Sequence, residues 1–218
     1  MARLGVGRGA REVGAPVSEY VARNRATYDK IAARFFEVTR DRSAIAFWHE
    51  RFARRLGGGS AVLDLGAGPG LDSLALRKLG LRAVALDLSI GMLRAGHQEF
   101  PAPRVQADAR RLPMRSEAFA GVWAHASLLH LSPADAATAL REIRRVLQRG
   151  GVLHVAVKSG AGAGWESERY GEPRWFQYWS ALDFDALLAT SGFEVDESWF
   201  NPTRTSDWLI RHALVRGE

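Results

Sequence analysis

The sequence has no cysteine and only three lysines among its 218 residues. The absence of thiols excludes thiolate catalysis, disulfides and cysteine-ligated zinc, and we predict no metal site. No apolar run approaches the ~20 residues that span a bilayer, so no membrane partner is expected. The first residues, MARLGVGRGAREVGAPV, lack the apolar core of a signal peptide. Residues 1–17 are therefore predicted to be a flexible tail, and the location to be cytoplasmic.

The net charge of +6 comes almost entirely from arginine. A basic balance favours a nucleic-acid partner when the charge is concentrated on one face. Here the arginine pairs at 54–55, 110–111 and 144–145 are scattered over several predicted helices and loops. A genome rich in arginine codons would produce the same excess. RNA therefore stays open as a partner.

Short apolar runs alternate with amphipathic helices from Ala61 onward, which predicts a parallel sheet with helices on both faces. Two helices precede this region, and two β-like runs with no helix between them follow it. The predicted helices are 18–35, 41–55, 71–79, 90–99 and 133–148, with another beginning at Ser180, and the predicted strands are 61–65, 82–86, 104–106, 121–126, 152–157, 195–200 and 208–215.

One domain is predicted over residues 18–218, because the chain is too short for two ordinary domains. Its four parts are N-terminal helices over 18–55, a cofactor-binding core over 61–158, a lid or substrate loop over 159–180, and a C-terminal helix and hairpin over 181–218. The third part is too long for an ordinary strand-to-helix loop and is rich in aromatic residues. It suits an acceptor pocket, or a loop packed on the sheet edge by its own aromatics.

The run Val62–Gly70, VLDLGAGPG, is a buried-strand pattern that enters a glycine-rich turn before a helix. Glycine lets such a turn bend sharply and lets a ligand approach the backbone. A phosphate-binding P-loop is excluded because no lysine follows the glycines. The dinucleotide pattern GxGxxG is excluded because its third glycine would fall on Leu71.

An acid, Asp64, lies two residues before the first glycine. A carboxylate there would repel a pyrophosphate and would attract an ammonium group. Two further acids end the next strands at intervals of 21 residues from Gly66, namely Asp87 and Asp108. The first can accept both hydroxyls of a ribose and the second an adenine amino group. These three acids favour a nucleoside cofactor that has a cationic end and no phosphates.

Three runs, VLDLGAGPG, ALDLS and QADARRLP, resemble motifs I, II and III of class I S-adenosylmethionine-dependent methyltransferases. LREIRRVLQRGGVLHVAVK is similar to their helix and strand joined by a Gly-Gly turn, so the resemblance covers Ala61 to Lys158. It implies a Rossmann-like α/β fold: a doubly wound, mostly parallel sheet of seven strands with a C-terminal antiparallel hairpin and an N-terminal helical cap. It also implies S-adenosylmethionine as cofactor and S-adenosylhomocysteine as product.

The resemblance assigns roles to individual residues. They are Asp64, Gly66, Ala67, Gly68 and Gly70 at the methionine end, Asp87 and Leu88 at the ribose, Asp108 and Ala109 at the adenine, Met92 against the adenosine, and Ala124 beside the sulfonium. One departure is Phe119-Ala120-Gly121, where the family often has Phe-Asp.

The acceptor side is less defined. His125 and His130, at the end of the fourth strand of the core and just after it, are the candidate bases, and each could instead be structural. The candidate substrate contacts are Tyr28, Phe36, Trp175 and Tyr178.

A second resemblance concerns TYDKIAARFFEVTR and ERYGEPRWFQYW, which are similar to stretches of tRNA wobble-uridine methyltransferases. Three functions follow from these patterns. The leading one is methylation of a small-molecule acceptor by direct displacement. The alternatives are an RNA (tRNA) methyltransferase and a cofactor-binding module without turnover. The acceptor and the oligomeric state stay open.

Overall fold

The computed structural model describes residues 19–97, 99 and 102–216. The predicted tail over residues 1–17 lies outside them. Among the described residues no helix is both long enough and apolar enough to cross a bilayer. The helices are α1 Glu19–Thr39, α2 Ala46–Leu56, α3 Leu71–Lys78, α4 Ile90–Ala95, α5 Pro133–Val146 and α6 Ala181–Thr190, and the strands are β1 Ala61–Leu65, β2 Arg82–Asp87, β3 Arg104–Gln106, β4 Phe119–His125, β5 Leu147–Lys158, β6 Ala163–Glu166, β7 Arg174–Gln177, β8 Phe193–Pro202 and β9 Asp207–Val215.

Seven of these strands form one sheet in the order β3-β2-β1-β4-β5-β9-β8. The pairs from β3 to β5 are parallel, and β9 runs antiparallel to both β5 and β8. This confirms the predicted Rossmann-like α/β fold with its terminal antiparallel hairpin. Strand order reverses between β1 and β4, and in open α/β sheets ligands bind in the crevice at such a reversal.

Each face of the sheet packs against helices. On one face α5 and α6 bury Leu140, Ile143 and Phe184 against the strands. On the other face α2 buries Trp48 and Phe52. These apolar layers hold the strands in register, so the loops at their carboxyl ends have fixed positions.

Gly121 marks a close approach between β4 and α2. A Cβ atom there would lie 2.7 Å from Phe52 and 2.6 Å from Leu56, both on α2. Such distances are far inside van der Waals contact, so a side chain would push α2 away from the sheet. The acid that the family often has falls on the preceding residue, Ala120, and nothing in the structure explains its absence.

Serine side chains cap the N-termini of α5 and α6. Ser132 Oγ accepts from Asp135 N at 3.2 Å, and Ser180 Oγ accepts from Asp183 N at 3.1 Å. The Gly-Gly turn expected between helix and strand was wrong, since α5 passes straight into β5 at Leu147 and Gly150 and Gly151 lie within that strand.

Residues 159–180 contain a two-stranded sheet of their own. Strands β6 and β7 pair antiparallel, with Trp165 opposite Trp175. The segment was predicted only as a lid or loop, because its many glycines and charges hide the short strands. The hairpin contacts α1, where Thr27 Oγ1 donates to the Pro173 carbonyl at 2.8 Å and Asn24 Oδ1 accepts from Trp175 N at 3.1 Å.

Candidate functional site

A cavity opens at the carboxyl ends of β1, β2 and β4, beneath α1. The strand ends form one side of the cavity and α1 the other. The lining residues are Val21, Asn24, Arg25, Tyr28, Phe35, Gly66, Gly68, Leu86, Asp87, Leu88, Ser89, Met92, Ala107, Asp108, Ala109, Ala126, Ser127, His130 and Leu131.

Asp87 is fixed in the cavity by two backbone amides. Gly68 N donates to one carboxylate oxygen and Ser89 N to the other, each at 2.8 Å. Burial raises the pKa of Asp87 to about 6, while these amides act in the opposite direction. Each oxygen keeps lone pairs free, so the carboxylate can accept two more hydrogen bonds from a ligand.

The glycine turn allows other groups to approach its backbone closely. Gly66, Gly68 and Gly70 have φ angles of 74°, 54° and 91°, a region that side chains disfavour. A Cβ on Gly66 would lie 2.4 Å from Ser127 Oγ, so the turn and the loop after β4 meet at this point. Gly66 and Gly68 line the cavity, whereas a Cβ on Gly70 would face Arg104 at 3.1 Å.

Asp64 lies under the turn and not in the cavity wall. It is only 2% exposed and accepts from Ser73 Oγ at 2.6 Å. Burial, with the neighbouring charge of Asp72, raises the pKa of Asp64. Asp72 in turn pairs with Arg42 and His49, and the positive charge of Arg42 lowers its pKa against the effect of burial. The two acids therefore differ in charge. Asp72 carries the negative charge, whereas the raised pKa of Asp64 favours its neutral form.

Asp108 lines the far end of the cavity but already has a partner. Arg110 donates to its two oxygens through Nε and one terminal nitrogen, at 3.0 and 2.7 Å, and to Asp135 through the other at 2.9 Å. The carboxylate can still accept on its remaining lone pairs. Its position is thus held by an ion-pair network.

A tyrosine and a histidine meet at the α1 side of the cavity. Tyr28 Oη lies 2.7 Å from His130 Nε2, and His130 Nδ1 lies 2.7 Å from the Trp175 carbonyl oxygen. Burial raises the pKa of Tyr28 to about 12 and lowers that of His130 to about 3. Both groups are therefore neutral near pH 7.

Comparison with known proteins identifies the fold family. Residues 63–155 match the family model described as a methyltransferase domain. The demethylmenaquinone methyltransferase of Mycobacterium marinum is 40% identical over 111 residues, or 50% of this chain and 47% of that protein. Its counterpart in Mycobacterium sp. (strain KMS) is 36% identical over 147 residues, or 61% and 63%. The chain thus spans about half to two thirds of the length of these relatives.

Solved structures agree on the fold. The Burkholderia thailandensis 1,6-didemethyltoxoflavin-N1-methyltransferase, solved with 1,6-didemethyltoxoflavin and S-adenosylhomocysteine, superposes with a TM-score of 0.76 at 22% identity over 94% of both chains. A methyltransferase from Methanosarcina mazei gives 0.70 at 19% identity over 76% of this chain and 96% of that one. Over residues 63–155 the chain matches the methyltransferase-domain family, and its fold is that of the solved methyltransferases. The comparisons support the predicted resemblance to class I S-adenosylmethionine-dependent methyltransferases and the predicted cofactor, S-adenosylmethionine.

The lining of the cavity is compatible with that cofactor. Asp87 has two anchored oxygens, each with lone pairs that can accept from the hydroxyls of a ribose. Leu88, Met92 and Ala109 are apolar residues of the cavity wall, against which an adenosine could pack. The absence of a side chain on Gly66 and Gly68 leaves room for the amino-acid end of S-adenosylmethionine.

The predicted cofactor residues separate into two groups. Those in the cavity wall are Gly66, Gly68, Asp87, Leu88, Met92, Asp108 and Ala109. Outside the wall are Asp64, Ala67, Gly70 and Ala124. Ala124 is fully buried on the α5 face of β4, since alternate residues of a strand point to opposite faces. Ala126 and Ser127, beyond the strand end, line the cavity in its place.

The predicted acceptor residues also separate. Tyr28 and His130 line the cavity, while Phe36, Trp175 and Tyr178 do not. Phe36 is buried, and Phe35 occupies the cavity face of α1. Phe35 lies seven positions after Tyr28, a spacing that puts both residues on one face of a helix. This spacing could have identified Phe35 as the phenylalanine in the cavity wall. Trp175 contributes only backbone groups, to Asn24 and His130.

His125 lies away from the cavity. Its Nδ1 is 3.0 Å from His154 Nε2 on β5, and its ring stacks on Trp123 and Trp208. The residue is therefore part of a polar row across the sheet.

The sequence analysis did not identify Asn24 and Arg25 of the cavity wall. Both are on α1, and they reach the cavity only because α1 lies over the sheet.

Proposed function

We propose that the chain transfers a methyl group from S-adenosylmethionine to a small-molecule acceptor. The observation that supports this is one continuous cavity with Asp87 in its wall at the strand ends and the Tyr28–His130 pair in its wall beneath α1. A cofactor held at Asp87 would have its acceptor beside the Tyr28–His130 pair. The names of the mycobacterial relatives support an aromatic, quinone-like acceptor.

The cofactor would supply an electrophilic methyl group on a sulfonium. The chain's own residues would bind and orient the cofactor and the acceptor, and would exclude water. Asp87 would hold the ribose hydroxyls, and Met92 would pack against the adenosine. Alignment of two reactants in a closed cavity lowers the barrier to a direct displacement by removing translational freedom before reaction. Helix α1 closes the cavity from above, which limits access of water.

The arginine distribution gives less support to RNA. Each arginine pair has at least one member in an ion pair: Arg55 with Asp196, Arg110 with Asp108 and Arg145 with Glu142. In the first pair Arg54 also lies 3.8 Å from Glu50. Engaged guanidinium groups have less free charge for phosphates. A small molecule is therefore the preferred acceptor class.

Two measurements test this function. Calorimetric titration with S-adenosylhomocysteine should give saturable binding at one site, and radiolabelled S-adenosylmethionine should label a member of a panel of aromatic hydroxyl, amine and heterocycle acceptors. No binding would overturn the cofactor assignment. Binding without labelling of any acceptor would favour a cofactor-binding module, and labelling of bulk tRNA with a steep loss of RNA affinity in salt would favour the RNA alternative.

A further inference from the structure

The hydrogen bonds around His130 fix which of its nitrogens carries the proton. The Trp175 carbonyl can only accept, so His130 Nδ1 must donate to it across 2.7 Å. The neutral ring then has a lone pair on Nε2. That nitrogen must accept, and Tyr28 Oη must donate to it across 2.7 Å. The strand β7 thus sets the tautomer of a histidine in the cavity wall.

With its proton directed to His130, the Tyr28 oxygen can accept hydrogen bonds, and one of these comes from the side chain of Arg174. Both Tyr28 and His130 line the cavity, so a ligand there lies beside the pair. A hydroxyl of a ligand could donate to the Tyr28 oxygen. The pair would then form a chain of two successive hydrogen bonds from ligand to imidazole.

A buried cation lies next to this pair. Arg174 is only 7% exposed, and its guanidinium carbon lies 4.7 Å from the centre of the Tyr170 ring and 5.0 Å from that of Phe176. Its Nε has no hydrogen-bond partner among the residues that the structure describes. Its positive charge acts to lower the pKa of Tyr28, against the larger effect of burial. A cation in this position favours negative charge on the phenol oxygen while a proton moves.

We propose that Tyr28 and His130 form a proton relay that acts as the base for an acceptor carrying an ionisable hydroxyl on an aromatic or enolic ring. As the sulfonium–methyl bond would break to leave a neutral thioether, the methyl group would bond to the acceptor oxygen or to a ring carbon conjugated with it. The acceptor's O–H bond would break, and its proton would pass to Tyr28 Oη. The proton of Tyr28 would pass at the same time to His130 Nε2. The positive charge lost from the sulfonium would appear on His130, where the Trp175 carbonyl stabilises it through Nδ1–H against burial and the charges of Arg174 and Lys158, which lower the pKa of His130.

This relay rests on the proposed function and specifies its substrate class. Methylation of an amine or a thioether can proceed without removal of a hydroxyl proton, and would make no use of the relay. A phenol, an enol or a quinol needs the proton removed, either before or during transfer. The relay therefore favours a hydroxylated ring over other acceptors.

The first experiment needs neither cofactor nor acceptor. Long-range proton–nitrogen NMR correlations on the full-length protein should show His130 with the proton on Nδ1 and an unprotonated Nε2. Replacement of Tyr28 by phenylalanine (Y28F) should leave Nδ1 protonated and shift the Nε2 resonance downfield, because the donor is gone. A proton on Nε2 in the unsubstituted protein would overturn the relay.

The second experiment separates the relay from a structural role. With 1,4-naphthoquinol as the probe acceptor, Y28F should lower kcat/KM by about 100-fold or more, the lower end for general-base catalysis. The matched control is Y170F. The Tyr170 hydroxyl is buried without a hydrogen-bond partner among the described residues, so its loss should change kcat/KM by less than about threefold.

The outcomes distinguish the relay from the proposed function. The affinity for S-adenosylhomocysteine should stay within about twofold in both variants. A kcat/KM of Y28F within threefold of that of Y170F would overturn the relay and leave methyl transfer intact. No turnover of naphthoquinol, with an amine or thioether acceptor labelled instead, would overturn the hydroxyl substrate class. Loss of cofactor binding in the unsubstituted protein would overturn the proposed function itself.

Discussion

His125 and His130 lie five residues apart, on either side of the turn that follows β4, and their surroundings differ in kind. His125 belongs to a row of side chains that crosses four strands. His154 Nδ1 lies 3.0 Å from His212 Nε2, and His212 Nδ1 lies 2.9 Å from Glu197 Oε2. His130 instead lines the cavity, between Tyr28 and a carbonyl oxygen.

In both places an obligate acceptor fixes the tautomer. The Glu197 carboxylate accepts from His212 Nδ1, so His154 must donate to His212 and His125 to His154 through their own Nδ1 atoms. Both nitrogens of His154 are used within the row, whereas His130 is bonded to a tyrosine that also lines the cavity. Histidine thus contributes to stability in the row. In the cavity, we propose, it contributes to catalysis.

The largest expected effect follows from removing the middle of the row. His154 is fully buried, and His154→Ala would remove the partner of His125 and one of the two partners of His212 and create a cavity. The free energy of unfolding should fall by about 3–5 kcal/mol in urea denaturation. Arg149→Ala, at an exposed position, should change it by no more than about 0.5 kcal/mol. Similar values for the two variants would mean that the row does not stabilise the sheet.

On the cavity side, Asp87→Ala should weaken binding of S-adenosylhomocysteine by about 100-fold. Two ribose hydroxyls would lose a charged acceptor, and such bonds contribute about 1.5–3 kcal/mol each. Calorimetry gives the affinity, with Asp207→Ala at an exposed site as the control. An affinity change below threefold for Asp87→Ala would show that the ribose lies elsewhere.

Titration of Asp87 gives a smaller effect. Its pKa is raised to about 6, so the carboxylate that would accept the ribose hydroxyls becomes protonated as the pH falls through 6. The affinity for S-adenosylhomocysteine should therefore decrease by up to about tenfold from pH 7 to pH 5. Asp87→Asn should have a lower affinity that is nearly constant over this range. The same pH dependence in both proteins would assign the effect to another group.

The smallest effect concerns the outer end of the row. Arg51 lowers the pKa of Glu197 to about 2, and Glu197→Gln should lower the free energy of unfolding by about 1 kcal/mol at pH 7. Because the folded-state pKa lies below the ordinary value, this contribution is present above pH 4.5 and is lost as the pH falls toward 2. Denaturation of both proteins at pH 7 and pH 3 should give a smaller difference at pH 3. A difference that does not shrink would contradict the role of this charge.

The sequence alone determined the order of the elements, because hydrophobic period and glycine position are local properties. It also indicated the cofactor class, because the runs that contain Asp64, Gly66 and Asp87 resemble methyltransferase motifs. It did not reveal the β6–β7 hairpin, whose short strands carry no clear alternation. The strand predicted over 152–157 began too late, because pairing of Leu147 with Phe119 on β4 starts it earlier.

Only the tertiary structure decided which side chains face the cavity. Asp64 lies beneath the turn, Phe35 and not Phe36 lines the wall, and His125 and His130 have separate surroundings. These differences depend on which face of a strand or helix a residue occupies and on what packs there. Placement of α1 and β7 over the strand ends brings Tyr28, His130 and the Trp175 carbonyl together from distant parts of the chain. No local pattern encodes such a meeting, since it arises from packing between elements.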